Sequence, residues 1–143
     1  MSKSKPQSYE SHAQFTPLYH YILAPISLLM FVGAVIYLFR ERFSFLAILA
    51  FAISLCIMLL VGVVRQFATR LQDRSILHEE NFRHFRLTGK PLDSRLTLPQ
   101  IIALRFAGEE EFLQLCKKAA ETGMESKEIK KSIKQWRADH YRV

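Results

Sequence analysis

Formal charge is missing from two long stretches of this 143-residue chain. No Asp, Glu, Lys or Arg occurs from Ser11 to Phe39 or from Phe43 to Val64, although charged residues make up 23% of the sequence. That overall share is close to the soluble average of about 25%, so the charge is concentrated in the rest of the chain. Such uncharged, apolar stretches exclude both a soluble protein with one core and a disordered chain.

Cysteine is scarce too, and the two cysteines cannot form a disulfide framework. Cys56 lies within the second uncharged stretch, whereas Cys116 lies in the polar half of the chain. A disulfide between them would have to join the membrane interior to an aqueous domain. A secreted disulfide scaffold is therefore excluded, and we expect both thiols to be reduced.

The second uncharged stretch has the length of one membrane span. It covers 43–64, which is 22 residues between Arg42 and Arg65, and as a helix it would be about 33 Å long. The hydrocarbon core of a bilayer is about 30 Å thick, and a backbone inside it must satisfy its own hydrogen bonds. This stretch therefore predicts a membrane-spanning helix.

The first uncharged stretch predicts another span, over 17–39. Thr16 followed by Pro17 is typical of a helix start, and Pro25 should kink the helix because it lacks an N–H group. Aromatic and imidazole rings near this start suit the headgroup level of a bilayer. The N-terminal segment 1–16 is thus predicted to be interfacial. The predicted interfacial side chains are Tyr9, His12, Tyr19 and His20.

Only three residues separate the two spans, which predicts a tight antiparallel transmembrane hairpin over 17–64. Both chain termini then lie on one side of the membrane. The loop carries two basic residues, Arg40 and Arg42. On the side of the termini, near the spans, there are six: Lys3, Lys5, Arg65, Arg70, Arg74 and Arg83. Because cytoplasmic segments carry the excess of Lys and Arg, both termini are predicted to be cytoplasmic.

Residues 65–143 are predicted to form a small cytoplasmic domain of three to four helices. They contain 16 basic and 11 acidic residues. The second span should continue beyond the membrane as far as the helix-breaking sequence at 88–91. Glu79 and Arg83, four residues apart, suit a solvated face of this extension. The predicted fold class is all-α: a transmembrane helical hairpin followed by this domain.

Capping patterns place the other helices of the domain. Thr97 and Gln100 have the spacing of a capping box. A further helix is predicted from three acidic residues, 109–111, to a stop at Gly123, and a last helix is predicted to open at Glu125 or Ser126. The apolar stripe of the helix before Gly123 is Phe112, Leu115, Cys116 and Ala119.

The last predicted helix combines an apolar face with a basic one. Ile129, Ile133 and Trp136 would line the first face. A solvated surface is the commonest origin of such a basic face, anionic lipid comes next, and nucleic acid comes third. The region resembles a helix-turn-helix entry but lacks polar base-reading residues where they would be needed. The predicted lipid or partner contacts are Lys127, Lys130, Lys131, Lys134, Arg137 and Trp136.

Motifs that carry chemistry are not evident in the sequence. There is no glycine-rich phosphate loop, paired-cysteine motif, nucleophile elbow or calcium loop. His78 and His84 are six residues apart, so they do not face one way on a helix as zinc-protease ligands must. We therefore predict no catalytic, cofactor-binding or metal-binding residue and no enzymatic activity.

Short motifs are distributed over nearly the whole chain: Tyr9-x-x-His12, 17–20, Pro25, Arg65, 72–74, 79–80, 96–107 with its Leu-Thr-x-x-Gln entry, 128–137 and the terminal Arg142-Val143. Together they make the chain resemble a family of small two-span bacterial membrane proteins known only as a domain of unknown function. One departure is Glu125, where the family's helix cap is expected to be Thr. The resemblance implies the bacterial inner membrane and implies no activity.

Three functional hypotheses follow. The first is a non-enzymatic accessory or scaffold subunit of a membrane assembly, with the lipid bilayer and a protein partner or second copy as its contacts. The second is a membrane-tethered nucleic-acid-binding regulator, for which the basic last helix is the motive. The third is a redox or ligand-binding accessory subunit that would use His12 or His20.

Overall fold

The computed structural model describes residues 16–138. The segment that was predicted to be interfacial, with Tyr9 and His12, lies almost entirely outside this range, as do residues 139–143. The described residues form only helices, turns and one isolated β-bridge, so the predicted all-α class is confirmed for them. They divide into two compact units, 16–70 and 71–138.

The first helix of the 16–70 unit opens with a wide turn. Residues Leu18–Leu23 are π-helical, and helix α1 follows over Ala24–Arg40. The N–H of Ala24 donates to the carbonyl of Tyr19, five residues back, and Pro25 has no N–H to donate. The wider turn thus accommodates the proline. The π-helical turn leads directly into α1, and the kink predicted at Pro25 stays a prediction.

The link from α1 to the next helix is a tight turn without glycine. Arg42 and Phe43 both have positive φ, at 48° and 61°, a region that non-glycine residues seldom adopt. The N–H of Phe43 donates to the carbonyl of Leu38 at 3.0 Å. Helix α2 then runs over Phe45–Thr88.

Two helices are long and apolar enough to cross a membrane, as the uncharged stretches predicted. They are Leu18–Arg40, counted with its π-helical turn, and the 44-residue α2. In each, only 11% of the most apolar window is buried, so large apolar side chains lie on the outside. Such a surface is unfavourable in water and suits lipid.

Helix α2 continues well past the apolar stretch, as the sequence predicted, and ends before Gly89. That glycine has a φ of 71°, and its N–H donates to the carbonyl of Phe85 at 2.7 Å. In the 71–138 unit, Ile76, Glu80 and Arg83 are buried. Their spacing of four and three residues places them on one face of α2.

The 71–138 unit has a core built mainly from three further helices. They are α3 over Leu98–Leu104, α4 over Glu109–Thr122 and α5 over Ser126–Ser132. Phe106, Phe112, Leu104 and Ile129 are its largest fully buried side chains. The stripe predicted for α4 is buried in full, which confirms it: Phe112, Leu115, Cys116 and Ala119.

The predicted capping residues are confirmed. Thr97 precedes α3, and its N–H donates to the side chain of Gln100 at 2.7 Å. Gly123 ends α4 with a φ of 66°. Glu125 precedes α5 and donates its N–H to Glu128 at 3.1 Å, so a glutamate takes the position where a Thr cap was expected.

The last helix is shorter than predicted, and its basic face is divided. It stops at Ser132, and Ile133 has an extended backbone with a ψ of 122°. The N–H groups of Lys134 and Gln135 donate to the two carboxylate oxygens of Glu111, at 3.1 and 3.0 Å. The Glu111 carboxylate thus accepts the hydrogen bonds that backbone carbonyls would accept if the helix continued. The prediction of a helix through residue 137 is wrong.

Residues beyond Lys134 pair with the segment between α3 and α4. Gly108 donates its N–H to the carbonyl of Gln135 at 2.9 Å, and Arg137 donates its N–H to the carbonyl of Phe106 at 2.8 Å. The ring of Trp136 lies 5.1 Å from that of Phe106, centroid to centroid. Trp136 therefore packs on the core from an extended segment, and Lys134 and Arg137 share no helix face with the lysines of α5.

Candidate functional site

A buried ion pair on α2 forms the centre of the candidate site. The side chains of Glu80 and Arg83 are each only 5% exposed, and Arg83 Nη1 donates to Glu80 Oε2 at 3.1 Å. The two residues are three apart on one helix, so the helix itself brings them together. Buried charges are costly unless they are paired and hydrogen-bonded, and this pair meets both conditions.

Arg83 also connects α2 to the start of α4. Its Nη2 donates to the carbonyl of Ala107 at 2.8 Å, and its Nε donates to Glu109 Oε1 at 3.2 Å. The guanidinium carbon lies 4.0 Å from the centroid of the Phe112 ring, within cation–π distance. One side chain therefore holds a helix, a turn and an aromatic core residue together.

Two further arginines complete the cluster, one of them from the C-terminal segment. Arg137 Nη1 lies 3.4 Å from Glu80 Oε1, so each carboxylate oxygen of Glu80 faces a different arginine. Arg86 Nη2 lies 3.6 Å from Glu109 Oε1, at the exposed edge. We call these five residues the charge cluster: Glu80, Arg83, Arg86, Glu109 and Arg137.

The pKa of the Glu80 carboxyl is raised above its usual 4.5. Burial is the largest cause, because it penalises the charged form. Charge attraction and a hydrogen bond from Arg83, and charge attraction from Arg137, oppose this shift, while the charge of Glu79 adds to it. Glu80 thus takes up a proton more readily than a carboxyl in water.

A cleft of about 310 Å³ opens beside the charge cluster. It is lined by the cluster together with Glu79 and Phe82. Phe82 is 68% exposed, so the cleft has an apolar residue beside its charged ones.

Of the predicted contact residues, the structure brings only Arg137 to this cleft. Lys127, Lys130 and Lys131 lie on α5, and Lys134 follows it. Trp136 is half-buried against Phe106. The set therefore does not form one surface on a single helix.

The two described interfacial residues lie at the start of the first apolar helix. The guanidinium carbon of Arg65 lies 5.3 Å from the centroid of the Tyr19 ring. Nδ1 of His20 is 3.0 Å from the carbonyl oxygen of Thr16. Their predicted place at the membrane interface remains a prediction.

The buried ion pair was not among the features predicted from the sequence. Arg83 was predicted to lie with Glu79 on a solvated face, and this is wrong: Arg83 is buried and pairs with Glu80. Glu79 instead accepts a hydrogen bond from Ser75 at 3.1 Å. One signal could have revealed the pair. Glu80 and Arg83 follow the apolar Ile76 at helical spacing, so all three residues lie on one face of α2.

The side chains of the charge cluster can bind a ligand or hold neighbouring segments of the protein in place. The carboxylates and guanidinium groups of the cluster pair with one another, and no hydroxyl or thiol lines the cleft. Burial, followed by the charge of Glu80, raises the pKa of the nearby Cys116 thiol to about 12, so that sulfur is protonated and unreactive at neutral pH. Among residues 16–138, no group of three His, Cys, Asp or Glu side chains could hold a metal ion.

Comparison with known proteins identifies a family. The whole chain, residues 1–143, matches the sequence model of a family of unknown function, DUF6526. No curated protein and no solved structure matches the chain. The resemblance drawn from the short motifs thus agrees with the match in pointing to an uncharacterised family. The chain belongs to DUF6526, a family of unknown function.

Proposed function

We propose that this protein is a non-enzymatic accessory or scaffold subunit of a membrane assembly, held in the bacterial inner membrane by a two-helix hairpin. The observation that carries the proposal is the pair of long apolar helices whose large side chains lie on the outside. An anchor of two helices is too small to enclose a pore alone. A role in an assembly with other subunits accounts for such an anchor.

Two ring contacts support the hairpin. Phe31 and Phe51 lie 5.6 Å apart, centroid to centroid, ten residues before and eight residues after the turn at 41–43. Tyr19 and Arg65 are in contact much further from the turn. Contacts between the two helices, both near the turn and far from it, are expected when the helices run antiparallel.

The distribution of basic residues supports a cytoplasmic position for the termini. In the sequence, Arg40 and Arg42 stand between the two apolar stretches, and six Lys or Arg residues stand close to their other ends. The same bias orients bacterial membrane proteins generally. The 71–138 unit is then cytoplasmic.

The paired state of the charge cluster supports a structural role rather than catalysis. Both oxygens of Glu80 and three nitrogens of Arg83 contact partners within the protein. Catalytic acids and bases need a reacting group within reach, whereas these side chains hold α2, α4 and the C-terminal segment together. The unit therefore offers a fixed surface for a partner.

Cross-linking and mass spectrometry in native membranes test this proposal. The full chain, tagged and expressed at its native level, should give reproducible cross-links from exposed lysines such as Lys117, Lys127 and Lys134 to one partner protein or to a second copy. An unrelated two-span protein with the same tag is the control. A monomer without specific cross-links would contradict the proposal. A purified chain that carries haem or quinone, or that binds DNA at low salt, would also contradict it.

A further inference from the structure

The cleft beside the charge cluster has donors left over for a ligand. Arg137 makes one side-chain contact within residues 16–138, from Nη1 to Glu80. Arg86 makes one, at 3.6 Å to Glu109, which is beyond hydrogen-bond distance. A guanidinium has five N–H donors in a planar fork, so each arginine has donors that no contact within residues 16–138 uses.

Each carboxylate that lines the cleft already contacts at least one donor within the protein. One carboxylate oxygen of Glu80 contacts Arg83, and the other contacts Arg137. Oε1 of Glu109 lies near both Arg83 and Arg86, and Glu79 accepts from Ser75 along the helix. Arg86 and Arg137, with one side-chain contact each, therefore hold most of the unused donors of the cleft, and guanidinium donors bind anions.

Phe82 adds an apolar wall to the same cleft. It stands one residue before Arg83, and 68% of it is exposed. A ring this exposed gains free energy when an apolar or planar group covers it. A ligand that carries both an oxyanion and a flat or apolar part would use the arginines and the ring together.

We propose that this cleft binds a small ligand whose carboxylate or phosphate group lies between Arg86 and Arg137 and whose apolar part packs on Phe82. The cleft volume of about 310 Å³ is at the lower end of small-molecule sites, which are about 300–1,000 Å³. It suits a small free anion or the head of a larger molecule. Glu79 at the cleft edge disfavours a polyanion, because it would repel further negative charges.

Arg86 and Phe82 are the positions at which to test this binding. The side chain of Arg86 is 63% exposed, and its one ion pair within the described residues is the 3.6 Å contact with Glu109. Arg86→Ala should therefore leave the fold intact. Arg95 provides the matched control: its side chain is 61% exposed, it pairs with Asp93, and it does not line the cleft. Arg137 is unsuitable because its loss would leave an oxygen of the buried Glu80 without a partner.

The experiment titrates inorganic phosphate and phenyl phosphate into the purified full chain in a neutral detergent, at constant ionic strength set with chloride. Binding is followed by calorimetry and by the fluorescence of Trp136, the single tryptophan. We expect saturable binding of both, with phenyl phosphate about fivefold tighter because of ring contact. Arg86→Ala should weaken both about tenfold or more, and Phe82→Ala should remove the advantage of the phenyl group.

A second arm distinguishes a soluble anion from a lipid headgroup. Trp136 fluorescence of the full chain is compared in nanodiscs of phosphatidylcholine alone and of phosphatidylcholine with phosphatidylglycerol. A response to phosphatidylglycerol that Arg86→Ala removes assigns the site to a headgroup, and a response to soluble phosphate alone assigns it to a free ligand. The proposal is overturned if neither probe saturates, or if Arg95→Ala weakens binding as much as Arg86→Ala.

Discussion

At the scale of single residues, Arg83 organises the 71–138 unit. Its guanidinium is buried and contacts a carboxylate on its own helix, a backbone carbonyl, a second carboxylate and an aromatic ring. Removing two charges from water costs several kcal/mol per ion, which pairing repays only with good geometry. The pair therefore contributes a fixed arrangement of α2 and α4 more than it contributes net stability.

Loss of Arg83 should be far more costly than loss of its neighbour Arg86. Arg83→Ala leaves Glu80 buried with only the longer contact to Arg137, which should cost about 3–5 kcal/mol. Arg86→Ala removes one exposed contact and should cost less than about 1 kcal/mol. Urea unfolding of the full chain in detergent, followed by Trp136 fluorescence, measures both. Similar losses for the two variants would contradict the assigned role of Arg83.

The raised pKa of Glu80 makes a pH-dependent contribution to folding. Because the folded protein holds this proton more tightly than the unfolded chain, the contribution is fully present below about pH 4.5 and is lost as pH rises through the folded pKa. Glu80→Gln keeps the shape but cannot ionise. We expect the stability of the wild type relative to this variant to fall as pH rises above about 4.5.

The same unfolding measurement at a series of pH values checks this prediction. The sign is the decisive quantity, since a carboxylate stabilised mainly by its arginines would give the opposite slope. A wild-type advantage that grows with pH would show that pairing, not burial, dominates at Glu80.

At the scale of elements, local signals in the sequence predict most helix ends correctly. Thr97 with Gln100, Gly89 and Gly123 each act within a few residues of their own position, so the chain next to them is enough to specify the end. The stripe on α4 is equally local, because helical periodicity alone selects it. These features were predictable without any knowledge of the partners.

The elements that could not be predicted depend on distant partners. Helix α5 stops at Ser132 because Glu111, more than twenty residues away, accepts the N–H groups of Lys134 and Gln135. Arg83 is buried because α4 and Ala107 cover it. Spacing within one helix does not reveal such contacts, so a basic helix face and a solvated arginine were predicted in their place.

Gly123 provides a test at the scale of one helix end. Its φ of 66° lies in the left-handed region, and a Cβ at this position would meet no atom within 4 Å. The cost of Gly123→Ala is therefore conformational and should be about 1–2 kcal/mol. Gly123→Asn should cost less, because Asn adopts this conformation more readily. Equal losses in urea unfolding would contradict a conformational origin.

At the scale of the whole molecule, the absence of charge was the most informative feature of the sequence. It predicts two apolar helices, and the structure contains them with boundaries within a few residues at the ends that face the turn. The 44-residue α2 contributes residues to both compact units. The charge cluster belongs wholly to the 71–138 unit, and the family match adds no activity.

We propose that two helices cross the membrane and leave the 71–138 unit in the cytoplasm. Two single substitutions test it in a chain with Cys56→Ser: Glu41→Cys in the turn and Lys127→Cys on α5, both at exposed positions. The remaining Cys116 is buried with a raised pKa and should stay unlabelled until the protein is denatured.

Labelling with a membrane-impermeant maleimide, in spheroplasts and in inverted membrane vesicles, is the most direct measurement. The account predicts that Glu41→Cys is labelled in spheroplasts and Lys127→Cys only in inverted vesicles. Labelling of both positions from the same side would contradict two crossings, and labelling of Lys127→Cys in spheroplasts would contradict a cytoplasmic unit.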